Sequence, residues 1–580
     1  MSHLPCTPAP RVKVCIDFGT TYSGFAFASC DVKDTKIYAF DDWPGWNEAG
    51  QATYAKTPTV SLYSDQGGLL AYGWEAVLQY KQRLLDGRLA KNNGGPYKHP
   101  GHMIEKIKLH LSPNAQKTSN PALPLNLNAK TIIADYLREL GQRAIAKIQE
   151  NIGTFIQEKD IQWCITVPAI WNDNGKATMC EAMQMAGLVC GPNSSKGSPH
   201  EVLCVLEPEA ASMASLKELE AFSSNIDKPY IVVDVGGGTV DIVVHKKQNS
   251  DGELKELATG TGDLAGGTFI DQEFIKYVQN KVGINVFKEF EETAPIKYMS
   301  FMGDWERSKR AFAGKKGTIM DVPTVLQKLW SKKVNIADDV EEIELSPETI
   351  RSFFKPTLDT IVKMVKTKMR ECGCSTDCAA ILLVGGPAGN AHIKSAIESS
   401  FPGITVFTPN APGSIVVRGG VEFALAPQKI YSRRCRKTYG VRTSSPFIVG
   451  KHKESKKTWH EERENYYADD VFHVFITRGS EVTTDMCVKH NFTPHSASQT
   501  EVGFTIVMCD QAQPVHTDEA GCESVGSVTL NLGGMAGDIN RSITAYMYFG
   551  KTMLELKTVD DKTGKTAKTS IKFNAIHAAK

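Results

Sequence analysis

The sequence has no excess of charge of either sign: 66 Lys and Arg stand against 65 Asp and Glu, a formal net charge of +1. No field of one sign draws the whole chain to nucleic acid or to an anionic membrane, which argues against a histone-like or polybasic role. It also lacks any uninterrupted apolar run near the roughly 18 residues that a membrane-spanning helix needs. Met1 to Pro10 has neither a basic nor an apolar leader segment, which predicts a soluble protein that stays in the cytoplasm or nucleus. Disulfide spacing is missing as well. The 14 cysteines are scattered through 580 residues, and Cys15, Cys164 and Cys204 lie in apolar runs where they serve as small buried hydrophobes. The one cluster, Cys372-Gly-Cys374-Ser-Thr-Asp-Cys378, has no paired C-x-x-C and no nearby His at zinc spacing, so it reads as a loop of free thiols. Asn491-Phe-Thr493 matches a glycosylation acceptor by letters alone.

What the chain does have is 41% hydrophobic residues over a length that predicts three or four domains at about 150 residues each. The apolar run Val12–Ala28 is broken by Gly19-Thr-Thr-Tyr-Ser-Gly24, the pattern of strand, tight turn and strand. Tyr230–Val244 repeats it around Asp234-Val-Gly-Gly-Gly-Thr-Val-Asp241. Two such hairpins in one chain predict a duplicated α/β core. Between and after them the pattern predicts a strand at Ile161–Val167 and a helix over 172–188, capped by Asn and Asp, with Ala177, Cys180, Met183 and Met185 facing inward. Helices over 268–313 and 348–371 follow, then a strand at Ala379–Val384 running through Gly385-Gly386-Pro-Ala-Gly389 into a helix at Ala391–Ser399. Beyond residue 426 the texture changes. Lys429 to Lys457 holds ten Lys or Arg and one acidic residue, and period-2 strands follow at Val471–Thr477, Val502–Cys509, Ser527–Leu532, Ile543–Phe549, Met553–Val559 and Thr569–Phe573. The expected organisation is a flexible start (1–11), two lobes (12–225 and 226–426), a basic linker or first β segment (427–460) and a β-sandwich-like module (461–580) with no helical lid after it.

A glycine-rich turn with hydroxyl side chains gathers backbone N–H groups into one concavity, a cradle for phosphate. Gly19, Thr20 and Thr21 in one hairpin and Gly236, Gly237, Gly238 and Thr239 in the other could grip a polyphosphate between them. Asp17 and Asp234 sit where each first strand enters its turn, and Glu207, in Val205-Leu-Glu-Pro-Glu-Ala210, lies after another strand end. Carboxylates so placed could hold a hydrated Mg²⁺ against phosphate oxygens. Alone, each such turn or strand-end Asp is more often only a turn or a cap; the pairing is what points to a nucleotide. Two look-alikes fail: Gly260-Thr-Gly262-Asp-Leu-Ala265 has no acidic residue at the end of a following strand, and the Gly-Lys-Thr triplets at 550 and 564 lack the earlier Gly of a P-loop, having Ala545 and Val559 instead.

These segments resemble the 70-kDa heat-shock protein family, whose nucleotide-binding domain has the two-lobed, actin-like, duplicated ribonuclease-H-like fold. Ile16–Ser23, Val167–Asp173 running to Leu188, Glu207–Ala211, Val233–Asp241, Gly262–Asp271, Glu306–Arg310 and Leu383–Gly386 occur in the family's order at compatible spacing, and together they span 12–425. The resemblance implies ATP or ADP with Mg²⁺ as cofactors and slow hydrolysis of ATP coupled to a peptide-binding β-module. It implies that Thr20, Thr21 and Tyr22 contact the phosphates, with Gly266 and Gly267 joining the turn glycines. Asp17, Glu207 and Asp234 would surround Mg²⁺ mostly through water, and Thr239 and Asp241 would lie near the attacking water. Glu306, Lys309 and Arg310 would touch the adenosine, and Gly385 and Gly386 would line its pocket. Client peptides, signalling proteins or co-chaperones are the implied partners.

The chain also departs from the pattern. The family's second adenine-stacking Arg is Gly389, and a Ser of the same site is Ala313. The phosphate-contacting Lys has no secure match, with Lys106 and Lys108 as candidates. The apolar interdomain linker is replaced by Gln428–Lys437, and the chain lacks the acidic tail that recruits co-chaperones. These features resemble the divergent heat shock 70 kDa protein 12 (A/B) branch. Two other readings stay open: a scaffold that binds nucleotide without useful turnover, and a small-molecule kinase on the same fold, a class that lacks the Glu306/Lys309/Arg310 set and the added β-module.

Overall fold

The computed structural model describes residues 8–31, 36–49, 54–93, 98–111, 122–171, 173–191, 195–222, 227–249, 251–334, 340–374, 378–483, 485–549 and 554–570. Asn172, read as a helix cap, the Gly-Lys-Thr at 550, and the chain beyond 570, with the end of the last expected strand, lie outside these residues. Two compact units emerge. The first comprises residues up to Trp171, Thr178–Lys246 and Gly260–Pro427, and the second Asn172–Ala177, Lys247–Thr259 and the chain from Gln428. Among the described residues no helix is long and apolar enough to cross a membrane.

The first unit is mixed α/β and is built twice on one plan. In one sheet Val12–Asp17 pairs antiparallel with Tyr22–Ser29 and parallel with Ile161–Val167, which pairs parallel with Leu203–Leu206. In the other, Tyr230–Val235 pairs antiparallel with Val240–Lys247 and parallel with Ala380–Val384, which pairs parallel with Thr405–Phe407. Each first strand is a near-continuous apolar run because it lies at the centre of a mixed sheet and is buried on both faces. Register sets Asp17 opposite Gly24 and Asp234 opposite Asp241, so both aspartates stand at the turn end of their strand.

The helix Ala129–Asn151 shows how local sequence fixes an element. Asn128 caps it, its side chain accepting from Thr131 N at 2.8 Å. Ile133, Tyr136, Leu137, Leu140, Ala144 and Ile148 then form the buried stripe against the first sheet. The helix Asp173–Met185 buries Met179, Ala182 and Met183, with Ala186 following at the same helical spacing. Ala177 and Met183 are inside as expected and Cys180 is part-buried, but Met185 is 47% exposed. It lies off the 179-182-183-186 stripe, on a flank with nothing to cover it.

In the second unit two antiparallel sheets share a core. One runs Lys457–His460, Asn465–Ile476, Thr438–Pro446, Glu501–Cys509, Cys522–Asn531, and the other Cys487–Phe492, Ile543–Tyr548, Glu555–Asp560, Thr566–Ser570. Val441, Phe475, Ile506 and Leu530 of the first meet Ile543, Met547 and Leu556 of the second in that core. Among the described residues past 426, the helical segments are three-residue turns. The basic stretch carries two strands, Ile430–Arg434 and Thr438–Pro446.

Among the described residues of this unit, the ion pair of Arg541 and Asp560 is enclosed. Arg541 Nη2 donates to Asp560 Oδ2 at 2.5 Å and Nε to Oδ1 at 3.1 Å, while the guanidinium also reaches the Leu532 and Ala536 carbonyls. The hydrogen bonds from Arg541, set against burial, hold Asp560 down to about 2. Its folded pKa is below the ordinary value, so its contribution to stability is full above about pH 4 and is lost as the pH falls toward 2. Arg541→Met should strand the carboxylate and destabilise this unit by about 3–5 kcal/mol, read as lost amide protection across 522–560; unchanged protection at neutral pH would refute the assignment.

Candidate functional site

The two hairpin turns touch. A Cβ on Gly237 would lie 2.3 Å from Thr21 Oγ1, and one on Gly238 would lie 2.8 Å from Thr20 Oγ1. Any side chain at either position would force the turns apart. Each turn is braced from behind. Gly19 N donates to Ser23 Oγ, and Thr59 Oγ1 donates to the Gly19 carbonyl. Gly266, Gly267 and Thr268 donate their N–H groups to the carbonyls of Gly238, Gly236 and Gly237. Gly266 and Gly267 therefore spend their own N–H groups on the turn, which leaves them as a buttress behind it.

Four carboxylates converge under these turns. Asp17, Glu207, Asp234 and Asp241 are 3%, 8%, 5% and 1% exposed. Asp17 accepts from Thr166 Oγ1 at 2.8 Å and from Lys56 Nζ at 2.5 Å. Glu207, first residue of the helix Glu207–Phe222, accepts from Lys108 Nζ at 2.6 Å. Asp241 Oδ1 accepts from Ile170 N at 2.9 Å. Asp234 lies under Gly385, whose φ of +94° and 2.2 Å clearance from a Cβ to the Val235 carbonyl admit glycine alone. Thr239 is buried beside them.

Burial sets the proton affinities and the charges divide them. Burial alone would raise the Asp17 carboxyl, but the Lys56 and Lys108 ammonium groups outweigh it and hold it low. Burial, opposed by Lys108 and reinforced by Asp17 and Asp241, pushes Glu207 up to about 7. Burial and the Glu207, Asp241 and Asp17 carboxylates push Asp234 well above the carboxylate range. Lys56 answers Asp17 and Lys108 answers Glu207, so the cluster is rich in carboxylate oxygen with cationic side chains at its edge. An all-oxygen donor set beside backbone-lined turns suits a hydrated hard cation next to phosphate.

A second cluster borders the turns. At the end of the helix Pro295–Ala311, Lys309 bonds Asp271 at 2.7 Å and Glu306 at 2.5 Å, and Arg310 bonds Glu306 at 2.6 Å. The Arg310 guanidinium stands 5.7 Å from the centre of the Tyr22 ring. Asn390 Nδ2 donates to the carbonyls of Lys309, Arg310 and Phe312 while its Oδ1 caps the helix Ala391–Ser400. This ties Gly385-Gly386 to Arg310. The Tyr54 ring meets Tyr22 edge-on at 5.8 Å, and its hydroxyl lies 3.7 Å from where a Gly386 Cβ would stand.

The structure thus gathers Asp17, Gly19, Thr20, Thr21, Tyr22, Glu207, Asp234, Gly236 to Thr239, Asp241, Gly385 and Gly386 about one place, with Glu306, Lys309 and Arg310 at its border. Between the two candidate lysines, Lys108 reaches the carboxylates, whereas Lys106 is exposed with φ +55°. Lys56, Tyr54, Asp271 and Asn390 were not expected. The first two precede a short strand with no motif spacing, and Asn390 is recognisable only as a helix cap. Burial first, then Cys374, pushes the Cys372 and Cys378 thiols up to about 12.

The sequence model of the Hsp70 protein family matches residues 98–412, more than half of the chain. Heat shock 70 kDa protein 12A of Mus musculus is 27% identical over 638 residues, covering 97% of this chain and 91% of that protein. Heat shock 70 kDa protein 12B of Homo sapiens is 25% identical over 647 residues with the same shares. Chaperone protein DnaK of Stenotrophomonas maltophilia is 26% identical over 274 residues, 46% of this chain and 38% of its own.

The raised carboxyls have a measurable consequence. Between the ordinary Glu value of 4.5 and about 7 the folded cluster holds protons that the unfolded chain has released, so stability falls as pH rises across that window. A divalent cation requires those protons to leave. Titrating a divalent cation at pH 6.5 in buffers of different ionisation enthalpy should show proton release, and Glu207→Gln should diminish it; equal heats in all buffers would contradict this charge arrangement.

Proposed function

The chain belongs to the Hsp70 protein family, and on that premise we propose that it binds ATP with Mg²⁺ at the two touching turns and hydrolyses it slowly. The observation that carries this reading is the four buried carboxylates gathered beneath two touching turns where glycine alone fits. Mg²⁺ bound there would neutralise charge on the phosphates. Asp17, Glu207 and Asp234 would hold its water shell. The N–H groups of the two turns and the Thr20 and Thr21 hydroxyls would bind the phosphates. Lys108 and Lys56, swung from their carboxylates, would face the terminal phosphate. Asp241 and Thr239 would accept hydrogen bonds from the attacking water and orient it. No protein nucleophile is needed, since phosphoryl transfer proceeds by positioning and charge neutralisation.

Arg310 and Tyr22 offer a face for the adenine, with Glu306 and Lys309 toward the ribose. The β-module of the second unit would bind extended peptides or a fixed partner by strand addition, with the state of the nucleotide setting its affinity. A second reading, nucleotide sensing without useful turnover, is favoured by one observation: Lys56 and Lys108 already neutralise Asp17 and Glu207.

Two experiments separate these. Asp17→Ala and Asp234→Ala should each lower phosphate release at least tenfold, because a group that neutralises charge in phosphoryl transfer supplies several kcal/mol. Tight nucleotide binding by the wild type with no phosphate released would instead establish sensing. Gly389 has Pro412 Cγ at 3.9 Å from its Cβ direction as its nearest neighbour, so Gly389→Arg can supply a second cation face. Calorimetry should then show ATP binding tighter by roughly 0.5–2 kcal/mol; an unchanged dissociation constant would place the base elsewhere.

A further inference from the structure

Far along the first unit's sequence from the carboxylates, the three-stranded sheet of Val60–Tyr63, Leu69–Tyr72 and His102–Glu105 brings together Asp65, His99 and His102. Asp65 lies in the turn that links the first two strands, and Tyr63 pairs with His102 across the sheet. Pro100-Gly101 then folds the chain back so that His99 returns to the same corner. Gly101 has φ +96°, and a Cβ there would stand 2.5 Å from the Tyr63 carbonyl, so the turn that joins the two imidazoles depends on glycine.

Both rings aim at one atom. His99 Nδ1 lies 2.8 Å and His102 Nε2 3.2 Å from Asp65 Oδ1. A carboxylate oxygen can accept two N–H donors, but His99 Nδ1 is also the acceptor for Gly101 N–H at 3.1 Å. A nitrogen whose lone pair takes that proton has none to give to Asp65, which sets two electron-rich atoms face to face. A cation that takes the Nδ1 lone pair in place of the Gly101 N–H, with Asp65 Oδ1 as a second ligand, removes the conflict and leaves that N–H to water.

We propose that Asp65, His99 and His102 form a Zn²⁺ site, with two imidazoles and one carboxylate as ligands and water in the remaining position. Their ligand atoms all lie within 4.8 Å of one another. Tetrahedral Zn²⁺ with bonds of about 2.0–2.2 Å needs its ligand atoms roughly 3.3 Å apart, so two of the separations are already close and a turn of an imidazole closes the third. The side chains are 46%, 50% and 27% exposed for His99, Asp65 and His102, which lets the ion enter and the rings adjust. Two imidazoles select a borderline metal over Mg²⁺ or Ca²⁺, and the absence of sulfur from the set disfavours Cu(I). Bound metal would pin the Asp65 turn to the start of the strand that leads, three residues past its end, to Lys108. That makes it a structural clamp on the strand feeding the carboxylate cluster.

The test is Zn²⁺ retained by the full chain through gel filtration, compared between wild type, His99→Ala/His102→Ala and the milder Asp65→Asn. Wild type should retain one equivalent more than the double variant, and Asp65→Asn should weaken it at least tenfold. The difference spectrum with Co²⁺ should show d–d bands without thiolate charge transfer, separating this site from the many free cysteines. Amide exchange over 98–111 should slow with Zn²⁺ in the wild type only. Equal retention by wild type and double variant, no retained metal in the wild type, or a thiolate spectrum would overturn the proposal. Each readout is independent of nucleotide, so it stands or falls apart from the function proposed above.

Discussion

Four carboxylates packed under two glycine turns, with two lysines to answer them, impose the main electrostatic constraint on the first unit. Buried charge of this kind is costly unless it is paired and hydrogen-bonded. The fold answers in three ways. Thr166 and the Ile170 N–H donate to Asp17 and Asp241. Lys56 and Lys108 bring positive charge from two different segments. Burial and mutual repulsion are met by a higher proton affinity of Glu207 and Asp234, whose carboxyls are pushed upward. Removing any one of these three supports leaves a buried carboxylate without an answer, so the cluster stands or falls as a unit.

That arrangement also accounts for the duplication. Each half supplies one Asp from the end of an antiparallel hairpin whose next neighbour is a parallel strand. The same connectivity makes the same turn twice, and the turns interlock only because Gly237 and Gly238 offer no side chain to Thr20 and Thr21. This much was legible in the sequence: the hairpins, their aspartates and the strands around them follow from apolar runs broken by glycine and hydroxyl residues. Lys56, Tyr54 and Asn390 were not, because each reaches the site through space from a segment with no periodic signature. Met185 misled because helical spacing tells which residues share a stripe, not where the stripe's cover ends. The strand Cys487–Phe492 was missed because Cys-Val-Lys-His-Asn-Phe is only half apolar, one face being open.

The border cluster shows how a site can keep its frame while its face changes. Asn390 holds the C-terminus of the helix that carries Glu306, Lys309 and Arg310: its side chain donates to three carbonyls there and accepts two N–H groups of the next helix. Opposite that frame, Gly389 has no side chain to contribute. Tyr22 instead places its ring under the Arg310 guanidinium, and the Tyr54 ring meets Tyr22 edge to face. Aromatic and cation–π contacts are each worth about 0.5–2 kcal/mol, so the two rings hold the Arg310 guanidinium in place beside the glycines.

The basic strip Arg433–Lys437 shows a comparable replacement in the second unit. Arg434 lies 3.8 Å from Glu481, its N–H donates to Glu256 at 2.7 Å, and Lys437 pairs with Asp510. Exposed pairs of this kind are worth little one by one, about 0–1 kcal/mol. Their importance is that they come with strand hydrogen bonds: Ser432, Arg433 and Arg434 pair in register with Thr483, Val482 and Glu481. An apolar linker can leave its seat with only hydrophobic area to lose, and return. A hydrogen-bonded strand must break its ladder and its ion pairs together, leaving backbone groups to be satisfied by water. Freeing this segment would therefore cost more than freeing an apolar linker, because the ladder and its ion pairs give way together.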